Sequence, residues 1–119
     1  MTTRMIAVAF DCRHPDALAE FWREALDYRQ TERWTDNHGV TYVEVKAPDR
    51  PSLLFQPVPE GKQVKNRLHL DLAPTTIEQQ DEVERLVALG ATVLDEAEED
   101  PWIVLADPEG NEFSVLPRR

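Results

Sequence analysis

Hydrophobic and polar positions alternate along this chain in short stretches, which divide it into strand-like and helix-like segments. The stretch VTYVEVK at 40–46 alternates strictly, with Thr41, Val43 and Val45 on one side. This two-residue period is typical of a β-strand. In the segment at 14–28 the apolar residues recur three and four positions apart, which is the period of an amphipathic helix.

The same patterns predict two successive groups of elements with one shared order, strand, helix and three further strands. In the first group the strands are MIAVAFDC, RQTERWT, VTYVEVK and SLLFQPV, and the helix is HPDALAEFWREALDY. In the second group the strands are RLHLDL, ATVLDE, WIVLAD and EFSVLP, and the helix is TTIEQQDEVERLVALG. The stretch VPEGKQVKN has little periodicity, and we interpret it as the linker between the groups.

Local signals place several boundaries of these elements. Thr75 followed by Glu78 has the pattern of a capping box at the start of the second helix, and Gly90 is placed to end it. The stretches DNHG and DPEGN predict turns between neighbouring strands. The first strand is mostly apolar, which predicts burial on both of its faces.

Together the elements predict an α+β fold of two tandem βαβββ modules, at about 5–58 and 66–117, in a single domain covering 1–119. Because neither module has a core large enough to stand alone, we expect the two to pack together. The predicted result is a curved, cup-like mixed sheet with both helices outside. A pocket on the concave face of that sheet is the default binding site.

Composition narrows the classes of partner. The chain has 119 residues, of which 23 are acidic and 13 basic, for a net charge of −10. This charge argues against nucleic acid and against an anionic membrane surface as partners. The apolar run MIAVAF is too short to span a bilayer or to form the core of a signal peptide. The single cysteine, Cys12, excludes an internal disulfide and fits a reducing compartment, so we expect a cytoplasmic protein.

Five stretches, in this order and at these distances, carry a resemblance to a known family: AEFWREALDY, LLFQPVPE, NRLHLDL, LVALGA and DPEGNEFSVL. They resemble the glyoxalase-like proteins of the vicinal oxygen chelate superfamily. That superfamily includes glyoxalase I, extradiol dioxygenases and bleomycin-resistance proteins. The resemblance covers nearly the whole chain, and it implies the same two-module fold.

The resemblance also bears on metal binding. The metal enzymes of this superfamily hold a divalent ion with His, Gln or Glu on the first and last strands of each module. By this resemblance the corresponding positions here are Ala7, Leu54, Arg67 and Ser114. These four side chains do not make such a site. We therefore expect neither the superfamily's metal nor another cofactor.

A second set of polar residues lies two positions away on the same strand faces. If the first and last strands of the second module run antiparallel, His69 and Glu112 face each other in the cup. The pair then serves as catalytic acid and base or binds a polar ligand. With Gln56 it forms a weak three-ligand site for a divalent metal, which is one alternative. The other alternative is a buried histidine that a carboxylate satisfies.

Further candidates for ligand contacts are a cation, a hydroxyl group and two aromatic rings. Arg67, predicted to project inward from an apolar strand, suits an anionic ligand or a carboxylate of the protein. Ser114 shares the face of Glu112. Trp34 near a hairpin tip and Trp102 suit a flat or apolar ligand, although a tryptophan on the surface is also common.

Three functions are consistent with these features. The first is a metal-free protein that binds a small, aromatic or partly anionic molecule in the cup. The second is a lyase or isomerase that uses His69 and Glu112, with or without a divalent metal. The third is a domain whose pocket has lost its function and that associates with another protein. We also expect a homodimer, because a twofold partner can cover open edge strands and apolar strand faces.

Overall fold

The computed structural model describes residues 2–119, which divide into two compact units. The first unit extends to Gly61 and the second begins at Lys62. Each unit contains one α-helix and one four-stranded mixed sheet, so the predicted α+β fold of two βαβββ modules is confirmed. Met1, the first residue of the predicted domain, lies outside the described residues. That the two sheets form one cup stays a prediction.

The first unit has five elements, which are β1 (Ala7–Cys12), α1 (Pro15–Leu26), β2 (Gln30–Thr35), β3 (Thr41–Ala47) and β4 (Arg50–Pro57). Its strands are ordered β1-β4-β3-β2. β1 runs parallel to β4, and the other pairs are antiparallel. The predicted turn between β2 and β3 is present, and Gly39 takes a φ of 83° there. Such a backbone angle favours glycine, because it has no Cβ.

The second unit repeats this topology with β5 (Leu70–Leu72), α2 (Gln79–Leu89), β6 (Thr92–Asp95), β7 (Ile103–Ala106) and β8 (Glu112–Val115). The strand order is β5-β8-β7-β6, and β5 runs parallel to β8. The internal repeat seen in the sequence is therefore a repeat of topology. In the part of the chain that the structure describes, no helix is both long and apolar enough to cross a membrane.

The core of the first unit forms where α1 packs on one face of the sheet. Trp22 of α1 is buried, and its ring centroid lies 5.1 Å from that of Phe21 and 5.8 Å from that of Phe10 on β1. Phe10 stacks on Phe55 with the ring centroids 4.9 Å apart. Such aromatic pairs add to the free energy gained from burying apolar area. Helix and sheet therefore hold each other through their large aromatic side chains.

Burial along β1 differs from the prediction that both of its faces are covered. Ala9 and Asp11 are exposed, whereas Cys12 is buried and Phe10 contacts aromatic side chains of the core. The reason is that β1 lies at the edge of its sheet and one helix covers only one face. The apolar sequence of this strand thus did not distinguish a covered face from an open one.

The start of α2 also differs from the prediction. The helix begins at Gln79, so Thr75 is not its cap, and Glu78 precedes it with extended backbone angles. The side-chain amide of Gln79 donates a hydrogen bond to the carbonyl oxygen of Val115 at 2.9 Å. This bond ties the first turn of α2 to β8, but it does not cap the helix, because no backbone N–H group of α2 takes part in it. Gly90 ends the helix as predicted, with a φ of 129°.

A pair of substitutions in the second sheet tests the assignment of its core. Phe113, in the middle of β8, is 1% exposed, whereas Leu94 on β6 is 53% exposed. Phe113→Ala should lower the free energy of unfolding by about 3–5 kcal/mol, because it leaves a cavity. Leu94→Ala should change it by less than about 1 kcal/mol. Urea unfolding of both variants measures the difference, and equal losses would show that the faces are wrongly assigned.

Candidate functional site

A concave pocket of about 360 Å³ lies on the second unit. Its polar lining residues are Lys65, His69, Asp71, Glu112 and Ser114, and its main apolar lining residues are Trp102, Val104 and Leu116. A cavity of this size with an apolar wall and a few polar groups is typical of a small-molecule site.

The pairing of β5 with β8 brings the pocket's polar residues together. In this parallel pair Asp71 lies beside Ser114, and Leu70 lies beside Phe113. Because side chains alternate along a strand, Asp71 and Ser114 share one face of the sheet, and Leu70 and Phe113 share the other. His69 precedes β5 by one residue and is on the side of Asp71. One face of the second sheet thus carries most of the polar side chains that line the pocket.

The antiparallel arrangement assumed for the first and last strands of this module is wrong. Strands β5 and β8 are parallel, because the chain passes through α2 and two further strands before it returns to β5. Only neighbours joined by a short turn, such as β7 and β8, are antiparallel here. Parallel register still brings His69 and Glu112 to the same pocket. Their partners, however, differ from those predicted.

His69 is paired with a carboxylate other than Glu112. Its Nδ1 lies 3.3 Å from Oδ1 of Asp71, and the two side chains are 44% and 54% exposed. His69 is therefore not the buried histidine of the alternative interpretation. Asp71 is not among the predicted site residues, because an aspartate at the end of a strand is common before a helix.

Glu112 is held by two groups from the segment that precedes β5. Its Oε2 accepts a hydrogen bond from Nζ of Lys62 at 3.0 Å, and its Oε1 accepts one from the backbone N–H of Asn66 at 3.1 Å. Lys62 also donates to the carbonyl oxygen of Val64 at 2.8 Å. The side chains of Lys62 and Glu112 are only 18% and 16% exposed. Glu112 therefore anchors this segment to β8.

These contacts decide the charge of Glu112. Burial by itself would raise the pKa of its carboxyl group, but the hydrogen bonds from Lys62 and from the Asn66 N–H outweigh it. The pKa is lowered from 4.5 to about 2. At neutral pH the carboxylate is ionised, and a base of such low pKa accepts a proton poorly. The geometry makes Glu112 a fixed anion and a poor acid–base catalyst.

The turn at 107–111 continues this network away from the pocket. Asp107 is buried, and its Oδ1 accepts hydrogen bonds from the backbone N–H groups of Glu109 and Asn111 at 2.9 and 3.0 Å. The Asn111 side chain binds Asp107 in turn and accepts a bond of 2.7 Å from the side chain of Asn66. The predicted turn is confirmed. It also fixes the segment before β5, a contact that local sequence patterns did not indicate.

Arg67 does not project inward from a strand, because β5 begins only at Leu70. The residue is exposed and is not among those that line the pocket. The adjacent Leu68 is 86% exposed, so the apolar alternation of RLHLDL was misleading in its first half. The cation that does line the pocket is Lys65. Lys65 lies in the segment VPEGKQVKN, the predicted linker between the two groups of elements.

Two further predicted ligand residues, Gln56 and Trp34, belong to the first unit. Gln56 lies on β4 beside Asp11 of β1. Trp34 is 45% exposed and stacks on Tyr42, with the ring centroids 4.2 Å apart. Ligand contacts by either residue stay predictions. The remaining predicted residues, His69, Glu112, Ser114 and Trp102, all line the pocket of the second unit.

A comparison with protein-family models matches residues 7–116 to a family described as the glyoxalase-like domain. The chain belongs to this glyoxalase-like domain family. The family lies within the vicinal oxygen chelate superfamily, so the resemblance found in the sequence is confirmed. No curated protein matches the chain.

Solved structures of glyoxalase-like proteins share its fold. The trypanothione-dependent glyoxalase I of Leishmania major aligns with a TM-score of 0.73 and 16% identity, over 97% of this chain and 86% of the other. The fosfomycin resistance protein FosX of Mesorhizobium loti gives 0.76 and 13%, over 98% and 92%. A glyoxalase/bleomycin resistance protein/dioxygenase family enzyme of Burkholderia phytofirmans PsJN gives 0.64 and 18%, over 95% and 97%. At these identities the likeness shows the fold alone.

The residues of this glyoxalase-like protein do not fit the metal that its superfamily implies. Among residues 2–119 no three His, Cys, Asp or Glu side chains are grouped so that they could hold a metal ion. The strand register also corrects the sequence alignment, because Gln56 lies beside Asp11 as Ser114 lies beside Asp71. Gln56, and not Leu54, is thus the counterpart of Ser114. Even so, an amide and a hydroxyl are weak ligands for a divalent ion.

Replacing Glu112 tests whether its carboxylate anchors the segment before β5 to β8. Glu112→Gln should lower the free energy of unfolding at neutral pH by about 1–3 kcal/mol, because charged hydrogen bonds are lost. The folded pKa of about 2 lies below the ordinary 4.5, so this stabilisation is complete above pH 4.5 and is lost as pH falls towards 2. The difference between the two proteins should therefore shrink over that range in urea unfolding.

A matched control is Glu99→Gln, in the exposed loop between β6 and β7. This variant should unfold like the original protein, because substitutions at exposed positions usually cost little. If the difference caused by Glu112→Gln were the same at pH 4.5 as at pH 2, Glu112 would not be the ionised partner of Lys62.

Proposed function

We propose that this protein binds a small, aromatic or partly anionic molecule in the pocket of its second unit, without the superfamily's divalent metal. The observation that carries the proposal is the lining of the pocket. Trp102, Val104 and Leu116 give it an apolar wall, and Lys65 and His69 add polar groups. This combination suits a flat apolar body with a polar or charged substituent.

The aromatic preference rests on Trp102. This side chain is 43% exposed although it is large and apolar. A partly open indole ring offers a face on which another ring can stack, and such stacking adds to the gain from apolar burial. Val104 and Leu116 extend the same apolar surface.

The preference for a partly anionic ligand rests on the side chain of Lys65. Glu112 is neutralised by Lys62, and Asp71, the other acidic residue of the lining, lies beside Nδ1 of His69. Lys65 has no ion pair with an acidic side chain among the described residues. Its ammonium group is thus available to a carboxylate or a similar anion, even though the chain as a whole carries a charge of −10.

The metal-free part of the proposal rests on the donor atoms. In the second unit the best candidate ligands, Glu112 and His69, already contact Lys62 and Asp71. A divalent ion next to Glu112 would have to displace the ammonium group of Lys62, which lies 3.0 Å from the carboxylate. Asp71 contacts Nδ1 of His69, and Ser114 is a weak ligand as a neutral hydroxyl.

The enzymatic alternative, a lyase or isomerase that uses His69 and Glu112 as acid and base, has less support. Glu112 has a pKa of about 2 and is bonded away from His69. A general base acts best when its pKa lies near the working pH. We therefore give Glu112 a structural role and His69 a role in contacting the ligand.

Assembly and location complete the proposal. Val64 and Leu68 are 78% and 86% exposed and lie in an irregular segment next to edge strand β5. A second copy of the chain would cover such apolar side chains, so we propose a homodimer. Light scattering that gives the mass of a monomer at micromolar concentration would remove this part. Cys12 is a buried thiol that donates a hydrogen bond to the carbonyl oxygen of Gln56, and a cysteine in the thiol form suits the cytoplasm, which we propose as the location.

Binding of naphthalene sulfonate, an aromatic anion, tests the proposed function. Calorimetry should show one site per chain, and Trp102→Ala should weaken binding roughly tenfold, because about 1.4 kcal/mol of stacking is lost. Leu94→Ala, which removes an exposed apolar side chain outside the pocket, should leave the affinity unchanged. An affinity that is unchanged in Trp102→Ala, or no binding at all, would contradict the proposal.

A further inference from the structure

We infer that the pair of His69 and Asp71 is the proton acceptor of the pocket, and that the ligand is an aromatic compound with an ionisable ring hydroxyl. The ligand binds as its oxyanion after it gives the hydroxyl proton to His69. This inference rests on the proposed function and narrows its ligand class. A hydroxyl that ionises on binding makes a ligand both aromatic and partly anionic.

The orientation of His69 is the first support. The carboxylate oxygen Oδ1 of Asp71 lies 3.3 Å from Nδ1 of the ring. A carboxylate at this distance favours the tautomer that carries its proton on Nδ1, and the lone pair is then on Nε2. Nε2 is thus the nitrogen that remains for a ligand, and it accepts a hydrogen bond or a proton.

The position of the pair is the second support. His69 and Asp71 line the same cavity of about 360 Å³ as Trp102 and Leu116. A ring that packs on this apolar wall shares a small space with the imidazole. Asp71 is fixed in turn by its place on β5, where it pairs with Ser114 of β8. Asp71 therefore lies in regular secondary structure and His69 directly precedes that strand, which favours precise placement of the pair.

The charges that surround the pair are the third support. The groups that line the pocket near His69 are Lys65, Asp71 and Glu112. Glu112 is engaged by Lys62, with 3.0 Å between Nζ and Oε2, which neutralises it. When the hydroxyl ionises, its oxyanion faces the imidazolium of His69 and the ammonium of Lys65. Opposite charges at close range favour the ionised form of the ligand.

The proton transfer needs no other reactant. The O–H bond of the ligand breaks, its electron pair stays on the oxygen, and the proton forms an N–H bond with Nε2 of His69. Asp71 remains a carboxylate and attracts the proton on Nδ1. The reverse transfer restores the neutral ligand and the neutral imidazole when the ligand leaves.

The test uses para-nitrophenol, whose ionised form absorbs visible light, and para-nitroanisole, which has no hydroxyl. With the unaltered protein, para-nitrophenol should bind roughly tenfold more tightly than para-nitroanisole. The pH midpoint of its ionisation should fall by about one unit on binding, as expected beside an opposite charge. Absorbance titrations over a range of pH measure both quantities.

Three variants show which residue causes the shift of the ionisation midpoint. His69→Gln should remove most of the shift of the midpoint and most of the difference in affinity between the two compounds, since only Lys65 then favours the oxyanion. Asp71→Asn should retain binding with a smaller shift, which keeps the test decisive if the first variant folds poorly. His38→Gln, which changes an exposed histidine in the turn between β2 and β3, should behave as the unaltered protein. Circular dichroism confirms that each variant is folded.

The outcomes separate this inference from the proposed function. Equal binding of both compounds, with a midpoint that does not depend on His69, would overturn the proton acceptor and leave an aromatic-binding pocket. If para-nitrophenol, para-nitroanisole and naphthalene sulfonate all fail to bind, the pocket is not a ligand site, and the proposed function is wrong as well. A shift that is lost in His69→Gln and kept in His38→Gln supports the inference.

Discussion

In each unit the first strand is hydrogen-bonded in parallel to the last strand, with Asp11 beside Gln56 and Asp71 beside Ser114. A parallel pair cannot be closed by a hairpin, so the chain must pass through a helix and two further strands before it returns. The helix then packs on one face of the sheet, and large apolar side chains such as Phe113 are buried there. Polar side chains are left on the opposite face. The pocket of the second unit is a consequence of this separation.

The ion pair between Lys62 and Glu112 determines what that pocket can do. Taking two charges largely out of water is costly, and the cost is offset here by a contact of 3.0 Å and by the hydrogen bond from the Asn66 N–H. The carboxylate of Glu112, a candidate catalytic group in the sequence, is thereby held by Lys62 and the Asn66 N–H. It fixes the segment that carries Lys65 and His69. His69 contacts Asp71, and the ammonium group of Lys65 remains for a ligand.

Much of the fold is predictable from the sequence, because the elements are short, their periods are clear and the second half repeats the first. Turn residues such as Gly39 and Gly90 marked boundaries that the structure confirms. The site was harder to predict. Whether the first and last strands of a module are parallel depends on the order of strands in the sheet, which the local alternation of apolar and polar residues does not reveal. Lys62 and Asn66 act through contacts with Glu112 some fifty positions along the chain, in a segment without periodicity.

The metal content of the protein, purified without chelator, tests the central claim most directly. Elemental analysis should be combined with calorimetric titration of naphthalene sulfonate before and after treatment with EDTA. The account predicts a divalent metal content far below one ion per chain and the same affinity in both titrations. About one equivalent of a divalent ion per chain, together with loss of binding after chelation, would contradict it.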